Sequence, residues 1–235
     1  MQKPAGCQML IKNSIPVPRI KICGMSDRIS VRMAVHHGAD AVGFITEVPV
    51  DTPRNIARKT ARDLVACTPP FVTSVMVCMP DDPAQAVELI DCVRPDAVQI
   101  HNYLTVEELN TIKKATRVKL IKTVPVDPDT DIGNTIAYIS RLQHTVDAIL
   151  LDTNIGGRTG GTGAVHDWTI SQAITASSPL PVILAGGLKP ENVAEAVRTV
   201  RPYAVDTASG VETGGSKDEN KVKTFIRQVK GHYHE

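Results

Sequence analysis

Aromatic residues make up only 3% of this 235-residue chain, and its charges nearly cancel, with 26 lysines and arginines against 25 aspartates and glutamates. So few aromatics exclude a base-stacking platform for single-stranded nucleic acid. A formal net charge of +1 gives no electrostatic reason to expect nucleic acid or an anionic membrane as the main partner. No apolar run approaches the roughly 20 residues that span a bilayer. The N-terminus lacks the basic, apolar and small-residue succession of a secretory signal. The five cysteines, Cys7, Cys23, Cys67, Cys78 and Cys92, are an odd number with no C-x-x-C pair. That argues against a zinc site or a disulfide framework and for reduced thiols in a cytosol. His36 and His37 have no ligand partners in sequence, so no metal site is expected.

What the chain has is alternation. The hydrophobic share is 42%, which suits a globular fold with a sizeable core. Residues 1–18 carry three prolines without periodicity and read as an extension outside that core. From Arg19 onward, short β-rich apolar runs alternate with longer segments of helical spacing. Eight strands are expected to begin near Arg19, Ala41, Phe71, Asp96, Val118, Asp147, Pro181 and Tyr203. The spacing averages about 26 residues, close to the size of a βα unit. Helix starts are expected at Ser26, at Asp82-Pro83, at Thr105 with Glu108 as a capping box, at His166 or Asp167, at Lys189-Pro190, and at Lys217-Asp218. Strands such as AVGFI and PVILA are apolar throughout, as strands covered on both faces are. Eight such units predict a single (β/α)8 barrel over 19–235, of the TIM type. An open doubly wound sheet is the competing architecture.

In such a barrel the reactive groups lie at the C-terminal ends of the strands. Cys23 would end the first strand and Asp152 the sixth, so a thiolate base and a carboxylic acid would face one mouth. That pairing calls for a Cys23 pKa lowered toward neutrality and an Asp152 pKa raised by burial. A lone buried cysteine and an aspartate after a strand also occur as inert and turn residues. Gly186-Gly187 and Asp206 with Ser209-Gly210 follow the last two strands, the usual phosphate location in barrels. Arg54, after Thr52-Pro53, could hold a substrate carboxylate in a fork. His101 at the end of the fourth strand is equally a substrate contact or a satisfied polar residue. The stretch 152–166 carries Gly156, Gly157, Gly160, Gly161 and Gly163. It reads as a substrate flap, and it lacks the Lys-Ser/Thr of a nucleotide loop.

These pieces occur together as Lys21-Ile22-Cys23-Gly24, Gly38 to Phe44, Thr52-Pro53-Arg54, Val98-Gln99-Ile100-His101 and Leu150-Leu151-Asp152-Thr153. They continue as Gly160 to Gly163, Asp167-Trp168, Leu184 to Leu188, and Val205-Asp206 with Ser209-Gly210-Val211-Glu212. In this order they closely resemble the phosphoribosylanthranilate isomerases of tryptophan biosynthesis, from about Arg19 to the C-terminal helix. The resemblance implies a cofactor-free Amadori rearrangement of N-(5-phosphoribosyl)anthranilate to 1-(2-carboxyphenylamino)-1-deoxyribulose 5-phosphate. It makes Asp152 the general acid, Cys23 the general base and Arg54 the anthranilate-binding arginine. The phosphate would fall to the backbone around Gly186-Gly187 and Ser209-Gly210. It also implies a cytoplasmic enzyme, monomeric or homodimeric, whose partner is a small phosphorylated substrate. The chain departs from the family pattern with Thr52 in place of serine, Asn102 after His101 in place of glycine, and His166 in place of phenylalanine.

Two other readings fit a phosphosugar barrel. A lyase or aldolase would use a Schiff-base lysine, which Lys21 or Lys122 could supply. A non-catalytic barrel would bind a phosphorylated metabolite as a regulator.

Overall fold

A computed structural model describes residues 17–155, 158–159 and 167–231. The expected flap glycines, His166, Cys7 and nearly all of the N-terminal extension lie outside the described residues. Strands β1 (Arg19–Ile22), β2 (Ala41–Ile45), β3 (Thr73–Cys78) and β4 (Ala97–Ile100) run parallel to one another. They are followed by β5 (Lys119–Val126), β6 (Ala148–Ile155), β7 (Val182–Leu184) and β8 (Ala204–Thr207). β5 pairs with β6 and β8 pairs with β1, so the ring of eight closes. The barrel is therefore the architecture, and the open sheet is not.

A helix follows each strand: α1 (Arg28–His36), α2 (Arg58–Val65), α3 (Pro83–Val93) and α4 (Val106–Ala115), then α5 (Ile132–Leu142), α6 (Trp168–Ser177), α7 (Val193–Val200) and α8 (Glu219–Gly231). The Thr105 capping box is present as expected, as is the Asp82 cap with Pro83 at the first position. Asp167 caps α6. Three starts differ from expectation. Asp27, not Ser26, caps α1 by accepting from the Ser30 N–H at 2.8 Å. α7 begins at Val193 rather than at Lys189-Pro190, because the Asn192 amide is committed to the preceding loop. Its Oδ1 accepts from the Lys189 N–H and its Nδ2 donates to the Gly187 carbonyl. Lys217 belongs to a two-residue antiparallel ladder with Glu212, so α8 starts after Asp218, whose carboxylate receives the Lys221 N–H.

Side chains alternate across the barrel wall with the strand period of two. Val75, Ala97, Ile121, Leu150, Ile183 and Ala204 fill the interior. Their chain neighbours Met76, Val98, Leu120, Leu151, Leu184 and Val205 pack outward against the helices. Apolar burial of this second layer, at about 25 cal/mol per Å², joins helices to strands. α8 closes the ring by packing on β1 and α1, and its Lys230 ammonium donates to the Gly38 carbonyl. No helix among the described residues is long and apolar enough to cross a membrane.

Candidate active site

Strand parity decides which polar residues reach the mouth. Lys21 and Cys23 share the inner face of β1, Gln99 and His101 that of β4, and Asp152 and Asp206 stand on the inner faces of β6 and β8. The register agrees, since Lys21 pairs with Asp206 and Gln99 with the interior Ile121. Every one of these side chains but His101 is buried.

Cys23 lies at the top of β1, against β2. A Cβ added to Gly43 would sit 2.6 Å from its Sγ, so only glycine at 43 leaves room for the thiol. Burial pushes the Cys23 pKa above its ordinary value, and the nearby Lys21 and Lys217 ammoniums offset this only in part. The expectation of a thiol shifted toward neutrality is corrected: desolvation of the thiolate outweighs the cations around it. Asp152 behaves as expected. Burial first, and then the Asp206 charge, raise its carboxyl to about 7. At neutral pH about half of it carries a proton, which is what a general acid needs.

Beneath these two groups runs a polar layer. The Lys21 ammonium donates to Asp206 Oδ1 at 3.0 Å and to Gln99 Oε1 at 3.1 Å. Gln99 Nε2 donates to Thr123 Oγ1 at 3.2 Å and lies 3.4 Å from His101 Nδ1. His101 Nε2 stands 3.9 Å from Asp152 Oδ2. His101 therefore stands between Asp152 and the interior network. The pairing with Asp206 and Cys23 outweighs burial at Lys21 and keeps it protonated.

On the rim, Arg54 reaches not into open space but to Glu212. Its Nε and Nη2 donate to the two carboxylate oxygens at 2.9 and 2.5 Å. Lys217, itself buried, donates to the same carboxylate at 2.6 Å and to the Ala208 carbonyl. Burial works to raise the Glu212 pKa, but the bonds from Arg54 and Lys217 win and hold it low. The Arg54 Nη1 edge faces Thr52 and remains the outer side of the fork. Asn102, the departure beside His101, donates to the Pro80 carbonyl at 2.7 Å and so ties two rim loops together.

The expected anion station follows β7 and β8. Gly186 has φ +85° and Gly187 φ +64°, which turns the backbone between β7 and α7. A Cβ on Gly186 would come within 2.0 Å of Thr153 Oγ1, so this glycine is needed for close packing whatever binds above it. Ser209 and Gly210 lie in a single 3-10 turn after β8.

The structure thus brings Cys23, Asp152, His101 and Asp206 to one mouth, with Arg54 on its rim and the two glycine-bearing turns after adjacent strands. Four contributors received no role from sequence: Gln99 and Thr123 in the interior, and Glu212 and Lys217 on the rim. Lys21 was assigned only a Schiff-base role. Parity signals Lys21 and Gln99, each two residues before a mouth residue on the same face of its strand. Nothing local signals Lys217.

The family model for N-(5'-phosphoribosyl)anthranilate (PRA) isomerase matches residues 20–228. The chain is 49% identical over 221 residues to N-(5'-phosphoribosyl)anthranilate isomerase 1 of Methanosarcina mazei, covering 90% of this chain and 94% of that one. A solved phosphoribosyl anthranilate isomerase in complex with reduced 1-(o-carboxyphenylamino)-1-deoxyribulose 5-phosphate superposes with a TM-score of 0.76 at 34% identity, over 91% of this chain and 99% of that one. A monomeric form of the dimeric isomerase from Thermotoga maritima gives a TM-score of 0.77 at 32% identity, again over 91% and 99%. The match along nearly all of its length, on a closed barrel, means that the chain belongs to the phosphoribosylanthranilate isomerase family.

Proposed function

We propose that this chain converts N-(5-phosphoribosyl)anthranilate to 1-(2-carboxyphenylamino)-1-deoxyribulose 5-phosphate, a step of tryptophan biosynthesis. The observation that carries the mechanism is a carboxyl raised to about 7 by burial, facing the same mouth as a buried thiol.

Asp152 gives its proton to the furanose ring oxygen as the C1–O bond breaks. The anilino nitrogen lone pair forms the C1=N bond, which leaves a protonated Schiff base. Cys23, as thiolate, then removes the C2 proton. The C2–H electrons become the C1=C2 bond of an enolamine, and the C1=N pair returns to nitrogen. Tautomerisation of the enolamine gives the C2 ketone. The raised thiol pKa makes the thiolate a minor species but a strong base, and the cationic Schiff base beside it favours its formation. No step needs a cofactor.

The remaining groups hold the substrate. The outer N–H edge of Arg54 takes the anthranilate carboxylate while Glu212 fixes its inner edge. The turns at Gly186-Gly187 and Ser209-Gly210 take the phosphate, and Asp206 and His101 contact the ribose chain. Every group comes from one chain, so a monomer or a homodimer serves equally, and the cytoplasm is the expected setting.

Neither lysine of the lyase reading offers a usable amine at the mouth. Lys21 is held protonated by Asp206. Burial lowers Lys122 to about 8, but its register partners Ile100 and Ile149 pack on the helix side of the wall, so it faces away from the mouth.

Complementation of a tryptophan auxotroph lacking this step tests the proposal. Wild type should restore growth, and Cys23→Ala and Asp152→Asn should not. The purified Cys23 variant should lose about 10²–10⁴-fold in kcat. Growth with Asp152→Asn at the wild-type rate would remove the proposed acid.

A further inference from the structure

The polar layer under the mouth has a direction, and one group in it sets that direction. The Lys21 ammonium can only donate. Because it donates to Gln99 Oε1 at 3.1 Å, the amide of Gln99 has one possible orientation, with Nε2 pointing toward β5 and the mouth. Gln99 Nε2 carries two hydrogens. One goes to Thr123 Oγ1 at 3.2 Å, and the other points to His101 Nδ1 at 3.4 Å. The Thr123 hydroxyl, having accepted from Gln99, keeps a hydrogen of its own and lies 3.3 Å from His101 Nδ1. The Gln99 N–H beside Nδ1 can only donate and the Thr123 hydroxyl has a hydrogen to give, so both favour Nδ1 as an acceptor. That arrangement favours the ring hydrogen on Nε2, which faces Asp152 Oδ2 at 3.9 Å.

We propose that Gln99 is a positioning residue that fixes His101 as the Nε2–H tautomer, so that the imidazole meets Asp152 as a donor and receives the carboxylate left when the acid gives up its proton. The inference rests on Asp152 being the acid, and deepens that assignment. At 3.9 Å the contact is longer than a hydrogen bond; such contacts tighten when substrate is bound and charge develops. The opposite tautomer would present a lone pair to Asp152, which suits the protonated carboxyl and opposes proton release. Gln99 touches neither acid nor substrate. It acts through the ring, and is itself held by an ammonium anchored on Asp206 at 3.0 Å.

Imidazole ¹⁵N NMR of the whole protein tests this directly, with His101 assigned by loss of its signals in His101→Gln. The expected spectrum has a protonated Nε2 and an unprotonated Nδ1, and a wild-type spectrum with a protonated Nδ1 overturns the proposal whether or not any variant folds. Gln99→Glu supplies the second arm. A carboxylate there still accepts from Lys21 but has no hydrogen for Nδ1, so the ring should switch to Nδ1–H. Its kcat should fall by about 10²-fold, the cost of one lost donor. KM should stay within about threefold, the pattern left when the lost interaction is made only in the transition state. An unchanged tautomer, or an unchanged kcat, in Gln99→Glu would sink the idea. Gln99→Met, which keeps volume and loses both polar ends, should also lose kcat before KM. Failure of the acid assignment looks different: Asp152→Asn would then retain activity, whatever the His101 tautomer.

Discussion

Two buried thiols show how much one step of strand parity decides. Cys23 faces the mouth beside two ammoniums, whereas Cys78 on β3 faces the helix layer, where burial and then the Glu47 charge push it up to about 12. Only the first lies where the proposed substrate would bind. With Asp152 at about 7 and the Cys23 thiol above its ordinary value, the productive form in the proposed mechanism pairs a protonated Asp152 with an ionised Cys23. Its population rises with pH while Asp152 stays protonated, levels off once Asp152 ionises, and falls when the thiol has titrated. The kcat/KM profile should therefore climb to a break near pH 7, run flat, and decline only at alkaline pH; a decline beginning at pH 7 would reverse the order of the two groups. The same carboxyl carries a stability cost. Its folded pKa lies above the unfolded value, so the folded state binds the proton more tightly. That stabilisation is complete at acid pH and is lost as pH rises through about 7. Asp152→Asn should melt roughly 5 °C above wild type at about pH 8, and the gap should narrow toward about pH 4, measured by calorimetry.

Each helix and loop contributes through how it begins and ends. Thr105 and Glu108 satisfy each other's backbone at the start of α4, and Thr105→Ala should cost about 1 kcal/mol, read as a fall of roughly 2–4 °C in Tm. After β8, the two-residue ladder carries Glu212 and Lys217 to the rim, where the carboxylate grips Arg54 by both nitrogens. Glu212→Gln should loosen that fork and raise KM by about tenfold, with a smaller change in kcat. The capping box was legible because its signal lies within four residues. Strand starts were legible to within two residues, since apolar runs and turns mark them locally. The start of α7 was not, because Asn192 could cap the helix or tie the loop, and only the folded position of Gly187 decides. Nor was the Lys21–Gln99 bond, which joins residues 78 apart in sequence and exists only in a closed ring. Cys23, Asp152 and His101 could be read as mouth residues because barrel topology converts a strand end into a place. The condition of the Cys23 thiol could not, since it depends on desolvation by the assembled fold.

At the scale of the molecule, a salt bridge deep in the barrel joins β1 to β8, the first strand to the last. Lys21 and Asp206 are almost fully buried and 3.0 Å apart. Lys21→Met would strand the Asp206 charge and should cost about 3–5 kcal/mol, measured by urea unfolding. Lys21→Met with Asp206→Leu should recover most of that stability but not activity, which would separate the pair's structural part from its catalytic part. The ring that this pair helps to close also fixes where the chain leaves the barrel. β1 starts, and α8 ends, on the face opposite the mouth, where Lys230 reaches the Gly38 carbonyl in the turn between α1 and β2. A fused enzyme, an affinity tag or a surface linker joined at either point would therefore hang from the closed underside and leave the route for substrate clear, so the catalyst can be immobilised by its tail without being blinded.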